Sequence, residues 1–257
     1  MLKNITHRPV QQVSLVGAGP GDPELMTLRA WHLLQQADVV LYDGLAGSQI
    51  LDLLSDNVIK IYSGKRYKDG VNQSDRMQAI FDCYDEHLSK GNRIVRLKGG
   101  DPLIFSRTTE EAEYLLKKGV TFEIVPGVTS GFAGAALNGI PLTRREEVRN
   151  LIICTASTTN EGNYDFSDIA NFLKSKSMVM IYMGGNKLES MVQYFMNSGI
   201  PSSTEICLLS NISLPEQYSI LGTFKDIVAR SEGKIKYPVL IVVGKSIEFF
   251  IKEHLHV

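Results

Sequence analysis

The 257-residue chain carries a formal net charge of −1, with 44% hydrophobic and 21% charged residues. That balance is ordinary for a globular protein and lacks the basic excess of a whole-molecule nucleic-acid or anionic-membrane binder. No run of 18 apolar residues occurs, so no transmembrane helix is expected. The opening MLKNITHRPVQQ lacks the apolar core of a secretory leader. Cys83, Cys154 and Cys207 are scattered without metal-ligand spacing, so no metal is expected, and the pattern suits a reducing cytoplasm.

In chain order, Val13–Val16 reads as a strand that ends in Gly17-Ala18-Gly19-Pro20-Gly21-Asp22. Asp22 is placed as the N-cap of a following helix, with Pro23 at its first position. Val39–Tyr42 is a second strand, followed by Asp43, and Val58–Tyr62 a third, followed by Gly64-Lys65-Arg66. Met77, Ile80, Phe81, Tyr84 and Leu88 recur at helical spacing and form one apolar face. Ile94–Leu97 is the next strand, leading into Lys98-Gly99-Gly100-Asp101-Pro102. Thr108-x-x-Glu111 has the form of a capping box ahead of Ala112, Leu115 and Leu116, with Gly119 as the stop. Phe122–Val125 ends at Pro126-Gly127-Val128-Thr129-Ser130.

Beyond Pro141 the strand candidates are Leu151–Thr155, Met178–Met183, Ile206–Leu209 and Val239–Val243. A helix through Leu188, Met191, Val192 and Phe195 stops at Gly199. Continuous apolar strands alternating with amphipathic helices predict an α/β class with sheets covered on both faces. The Pro126-Gly127 turn predicts a boundary between two α/β domains, residues 1–126 and 127–257, and a cleft between halves is a common ligand site.

The first glycine loop differs from a dinucleotide fingerprint, because Pro20 intrudes and Asp22 stands where the third glycine would be. Asp22 would also repel a pyrophosphate at the helix start. The Gly-Lys-Ser/Thr of a phosphate-binding P-loop is missing. Taken alone, the loop equally suits a simple strand-to-helix turn. Three glycine turns at strand ends are harder to explain by topology alone, since strand ends are where open α/β sheets bind ligands.

Together, the segments VGAGPGDPELMTLRA, ADVVLYD, GKR, RLKGGDPLIF, VPGVTS, GIPLTRR and IYMGG resemble the uroporphyrinogen-III C-methyltransferase branch of the tetrapyrrole methylases, over roughly residues 13–244. The resemblance implies two α/β domains, S-adenosylmethionine as cofactor, a homodimer, and methyl transfer to carbons of a tetrapyrrole on the route to sirohaem or cobalamin. It places cofactor contacts on Pro20, Gly99, Gly100, Asp101, Ile104, Thr129, Ser130, Met183 and Asn211, the last where the family usually has glycine. It matches Asp43 to a proton acceptor and Lys65 to a proton donor. Read without the resemblance, Asp43 is a carboxylate capping the next helix and Lys65 a solvated turn residue. Met183 closes an apolar strand and equally suits the core.

Arg66, Arg96, Lys98, Arg107 and Arg144 lie near these motifs and suit an acidic substrate, since arginine pairs bidentately with carboxylates. Lys68 and Arg145 read as solubilising residues. The departures from the family gather on the substrate side. Gly44 stands for a usual arginine, Ser106-Arg107-Thr108-Thr109 for Gly-Arg-Gly-Gly, Arg144 for a histidine, and Thr155-Ala156-Ser157 for Thr-Gly-His. The expectation is therefore an enzyme whose cofactor loops are nearly intact and whose acceptor is uroporphyrinogen III or a related tetrapyrrole. The alternatives are a binding protein for tetrapyrrole or S-adenosylmethionine without turnover and, more remotely, a nicotinamide dehydrogenase.

Overall fold

A computed structural model describes residues 9–64, 72–157, 165–245 and 247. The chain folds as two units, Met1–Thr129 and Ser130–Val257. The sequence boundary falls three residues earlier, at the Pro126-Gly127 turn.

The first unit is built on five parallel strands: β1 (Val13–Gly17), β2 (Val39–Tyr42), β3 (Ile59–Tyr62), β4 (Ile94–Lys98) and β5 (Phe122–Val125). Their order is β3-β2-β4-β1-β5. Side chains alternate faces along a strand, and both faces are covered. Val16, Val40, Val95 and Leu97 pack with Leu33, Leu34 and Ile50 on one side. Leu15, Val39, Leu41 and Ile94 pack with Ile80, Tyr84 and Leu115 on the other. This double burial is why β1 is buried along its whole length and mostly apolar, with Ser14 its one polar residue.

The helices of this unit are α1 (Leu28–Leu34), α2 (Ser48–Asp52), α3 (Gln73–Ser89) and α4 (Thr108–Lys117). Thr27 caps α1 by accepting from Ala30 N, and Asn72 caps α3 by accepting from Asp75 N. Asp22 does act as an N-cap, accepting from Glu24 N at 2.8 Å, but the helix it starts is a single 3-10 turn, Pro23–Leu25. The expected capping box at α4 is not formed. Arg107 is the N-cap residue, with no side-chain cap, and Thr108 lies inside the helix with its hydroxyl donating to Pro102 O. Glu111 faces the interior instead, because two buried cations attract it more strongly than a helix-end amide.

The second unit opens with α5 (Ser130–Leu137) and continues through β6 (Leu151–Thr155), α6 (Ser167–Lys174), β7 (Met178–Tyr182), α7 (Leu188–Asn197), β8 (Glu205–Ser210), β9 (Tyr218–Thr223), α8 (Ile227–Ser231) and β10 (Val239–Val243). The sheet order is β6-β7-β10-β8-β9. β6 runs parallel to β7, and the other neighbours are antiparallel. β9 was not expected from the sequence. Among the described residues it is an edge strand, paired with β8 alone, and Ser219 and Gly222 interrupt its apolar pattern. The core of this unit gathers Ile169, Met191, Phe195, Ile206, Leu208, Phe224 and Ile241.

Candidate functional site

Parallel strands bring all five C-terminal ends of the first sheet to one edge, where the glycine turns meet. Ala18 N donates to Lys98 O at 2.8 Å, and Gly19 and Gly100 exchange backbone hydrogen bonds at 3.2 and 2.7 Å. The turns after β1, β4 and β5 touch backbone to backbone. A β-carbon on Gly17 would stand 2.5 Å from Gly127 N and 2.7 Å from Gly100 O. A β-carbon on Gly99 would collide with Leu45, and one on Gly127 with Gly100 O. The glycines are thus required by close approach of the loops to one another.

Two carboxylates tie the edge together. Asp101 Oδ1 accepts from Leu103 N at 2.8 Å, and its Oδ2 accepts from Gly127 N at 3.1 Å. Asp43, one residue past β2, accepts with Oδ1 from Leu45 N at 3.0 Å and from Gly99 N at 3.4 Å. Asp43 therefore orders its own loop and also reaches the β4 turn. Pro20 and Ile104 are half-buried in these loops and Thr129 is buried. Among the sequence-derived candidates, Pro20, Asp43, Gly99, Gly100, Asp101, Ile104 and Thr129 all follow the ends of β1, β2, β4 and β5.

In the second unit, β7 and β8 run the same way on either side of β10, so Met183 and Asn211 follow strand ends on one sheet edge. Both hold left-handed backbone, with φ of 54° and 50°. Asparagine tolerates that region better than most residues, which accounts for Asn211 at a position where glycine is usual. Met183 is 51% exposed, so it is not a core residue. Ser130 begins α5, where the Gly131 amide donates to Tyr182 Oη at 2.8 Å.

The cations are placed differently from the sequence expectation of substrate-facing groups. Arg96 and Lys98 are each 4% exposed and both bind Glu111. Arg96 Nε lies 3.2 Å from Glu111 Oε2, and Arg96 Nη1 also donates to Leu97 O. Lys98 Nζ binds Oε1 of the same carboxylate, and Tyr84 Oη donates to Oε2 at 2.6 Å. Burial opposes the Arg96 charge, but Glu111 leads the groups that outweigh it, and its pKa is raised. Burial pulls the Lys98 ammonium below its ordinary value, with Glu111 offsetting only part of that. Glu111 itself is lowered, since Arg96 and Lys98 overcome its own burial. Burial followed by the Glu111 charge drives the Tyr84 phenol well up. Neither Glu111 nor Tyr84 was singled out as a site residue from the sequence. The sign available there was Glu111 as an acidic residue at a position the helix buries.

Arg107 pairs with Glu110 at 3.4 Å and Arg144 with Glu147 at 3.3 Å, both partly exposed. Lys65 and Arg66 lie outside the described residues. Among the described residues, no cluster of His, Cys, Asp and Glu is arranged to hold a metal ion, and no helix is long and apolar enough to cross a membrane.

Comparison with known proteins matches residues 12–228 to the family model of tetrapyrrole (corrin/porphyrin) methylases. A uroporphyrinogen-III C-methyltransferase of Priestia megaterium is 38% identical over 93% of this chain and 99% of its own length. A sirohaem synthase of Pseudoalteromonas atlantica is 40% identical over 91% of this chain. The chain spans about half the length of the sirohaem synthases it matches, 50% in that case. The uroporphyrin-III C-methyltransferase of Thermus thermophilus, solved with S-adenosyl homocysteine, superposes with a TM-score of 0.77 at 31% identity, covering 93% of this chain and 99% of that one. A cobalt-precorrin-4 methyltransferase superposes with a TM-score of 0.80 at 26% identity, covering 91% and 95% of the two chains. The chain belongs to the tetrapyrrole (corrin/porphyrin) methylase family.

Proposed function

We propose that this chain is an S-adenosylmethionine-dependent C-methyltransferase that methylates ring carbons of uroporphyrinogen III, giving precorrin-2 for sirohaem or cobalamin synthesis. The observation that carries this reading is the near full-length match to the Priestia megaterium enzyme. We also infer a homodimer working in the cytoplasm; light scattering of the purified chain tests the first, and a mass of one chain overturns it.

The residues at the first sheet edge fit the cofactor. Pro20 and Ile104 offer partly accessible apolar surface, Gly99 and Gly100 offer backbone without side chains, and Thr129 offers a hydroxyl. Asp22, capping the turn after β1, opposes a pyrophosphate and so disfavours a dinucleotide. Ser130, Met183 and Asn211 are proposed as further cofactor contacts. S-adenosylmethionine supplies an electrophilic methyl group when bound; the protein supplies alignment and a base.

Asp43 is the proposed acceptor of the proton that the methylated carbon loses. Two backbone amides on its Oδ1 fix the carboxylate's orientation. Lys65 is the proposed proton donor. Arg66, Arg107 and Arg144 are proposed to meet substrate carboxylates, whereas Arg96 and Lys98 are buried on Glu111 and are not counted among them.

A second reading keeps the chemistry and changes the acceptor to a related tetrapyrrole. Gly44 carries it: the Tyr62 hydroxyl would lie 3.3 Å from a β-carbon there, so a phenol stands beside the position usual for an arginine. The test is an assay with S-adenosylmethionine and freshly generated uroporphyrinogen III, reading dimethylated product by mass. Cofactor binding without product rejects uroporphyrinogen III and leaves the second reading. Absence of S-adenosylhomocysteine binding by calorimetry rejects both. An Asp43→Asn variant with wild-type turnover removes Asp43 as the base.

A further inference from the structure

The buried cluster between β4 and its covering helices has an unequal charge count. Arg96 and Lys98 contribute two cations, and Glu111 one carboxylate. Tyr84 adds a neutral phenol, its ionisation suppressed by burial. Cys83, the neighbouring group on α3, also has its thiol pKa raised by burial and so adds no charge at neutral pH. An excess buried charge is costly unless a counter-ion stands close.

Strand register places a second carboxylate on the same face. Leu41 of β2 pairs with Arg96 of β4, and Tyr42 with Leu97. One step beyond the ladder, Asp43 comes level with Lys98. Residues two apart share a face, so Asp43 falls on the side that carries Leu41, Tyr84 and the two cations. Asp43 reaches across to β4 by accepting from Gly99 N, the residue after Lys98. Arg96 Nη1 reaches the other way, to Leu41 O at 3.5 Å. The Asp43 charge also acts on both Arg96 and Lys98, favouring their protonated forms.

We propose that Asp43 is the second counter-ion of the Arg96–Lys98–Glu111 cluster, and that Lys98 is a positioning residue which holds the Asp43 carboxylate against the β4 turn. The charge pairing stands independently of methyl transfer; the catalytic consequence rests on the reading of Asp43 as base. One carboxylate would then join the buried framework to the candidate site.

The test is a double-mutant cycle read by urea unfolding of the cofactor-free protein at pH 7.5. Asp43→Asn in the wild-type background leaves the cluster one charge out of balance, and the unfolding constant should rise roughly tenfold. In a Lys98→Met background, Arg96 and Glu111 already balance, and the same Asp43→Asn change should cost less than half as much on the logarithmic scale. Lys98→Arg, which keeps the charge, should restore the full effect. Equal losses in all three backgrounds overturn the proposal. If Lys98→Met does not fold, Lys98→Gln serves the same arm. The positioning role predicts that Lys98→Met lowers kcat, with KM for S-adenosylmethionine unchanged within a factor of two, and that Lys98→Arg recovers kcat. A kcat unchanged in Lys98→Met, with stability coupling present, removes the positioning role and keeps the counter-ion.

Discussion

The Oδ2 atom of Asp101 accepts a hydrogen bond from the Gly127 amide at 3.1 Å, joining the turn after β4 to the turn after β5. Its Oδ1 takes the Leu103 amide at 2.8 Å. One carboxylate thus holds two loops that belong to distant parts of the chain. Asp101→Ala should leave the Gly127 amide without its partner, at a cost of about 1–3 kcal/mol. Asp101→Asn turns one acceptor into a donor facing an amide, so it should rescue little. Urea unfolding reads the stability, and calorimetry with S-adenosylhomocysteine should show weaker binding by about tenfold, equivalent to 1.4 kcal/mol.

Close approach rather than turn geometry governs Gly17. Gly17→Ala sets a methyl 2.5 Å from Gly127 N, against backbone that cannot swing away. Overpacking of this kind should destabilise by about 3 kcal/mol. Gly119 gives the contrast, with a φ of 69° and nothing within 4 Å of its would-be β-carbon. Gly119→Ala should cost only the left-handed penalty of about 1 kcal/mol. Thermal melts of the two variants should therefore differ, with Gly17→Ala the lower.

Glu111 should set the acid limb of stability. Its folded pKa lies below the ordinary value, because Arg96 and Lys98 outweigh its burial. A depressed carboxylate contributes stability above its unfolded pKa, about 4.3, and loses it as pH falls through the folded value. Glu111→Gln should lower stability at pH 7 by about 3–5 kcal/mol, since it removes the carboxylate that both buried cations bind directly. It should also flatten the fall in stability below about pH 4. Circular dichroism melts between pH 3 and pH 7 check both; parallel curves for the two proteins would show that Glu111 does not carry the acid limb.

Asn211 answers to backbone conformation. With φ at 50°, Asn211→Gly should leave stability nearly unchanged, whereas Asn211→Val should lose about 1–2 kcal/mol. A normal valine variant would place the demand elsewhere than in the left-handed backbone.

Much of the α/β framework was legible because sheets covered on both faces leave apolar runs in their strands. β2 and β10 are continuous apolar runs in the sequence, and β1, β4 and β10 are buried along their whole length in the fold. β9 was illegible, because its partner β8 makes it a strand and its own residues alternate poorly. The same limit applied at Thr108–Glu111, where a local motif for a helix cap lost to charges on a neighbouring strand.

By itself, the sequence determined the glycine turns at the ends of three strands and the carboxylates Asp43 and Asp101 beside them. Those signals are local, since a turn's residue types follow from its own backbone. Only the tertiary structure decided that Gly17, Gly100 and Gly127 press against one another, and that Arg96 and Lys98 turn inward to Glu111. Strand order brings these residues together across long stretches of chain, and no local pattern encodes which strand becomes a neighbour. A basic residue near a site motif therefore reads the same in sequence whether it faces a substrate or a buried carboxylate; the packing of α4 on β4 makes the difference.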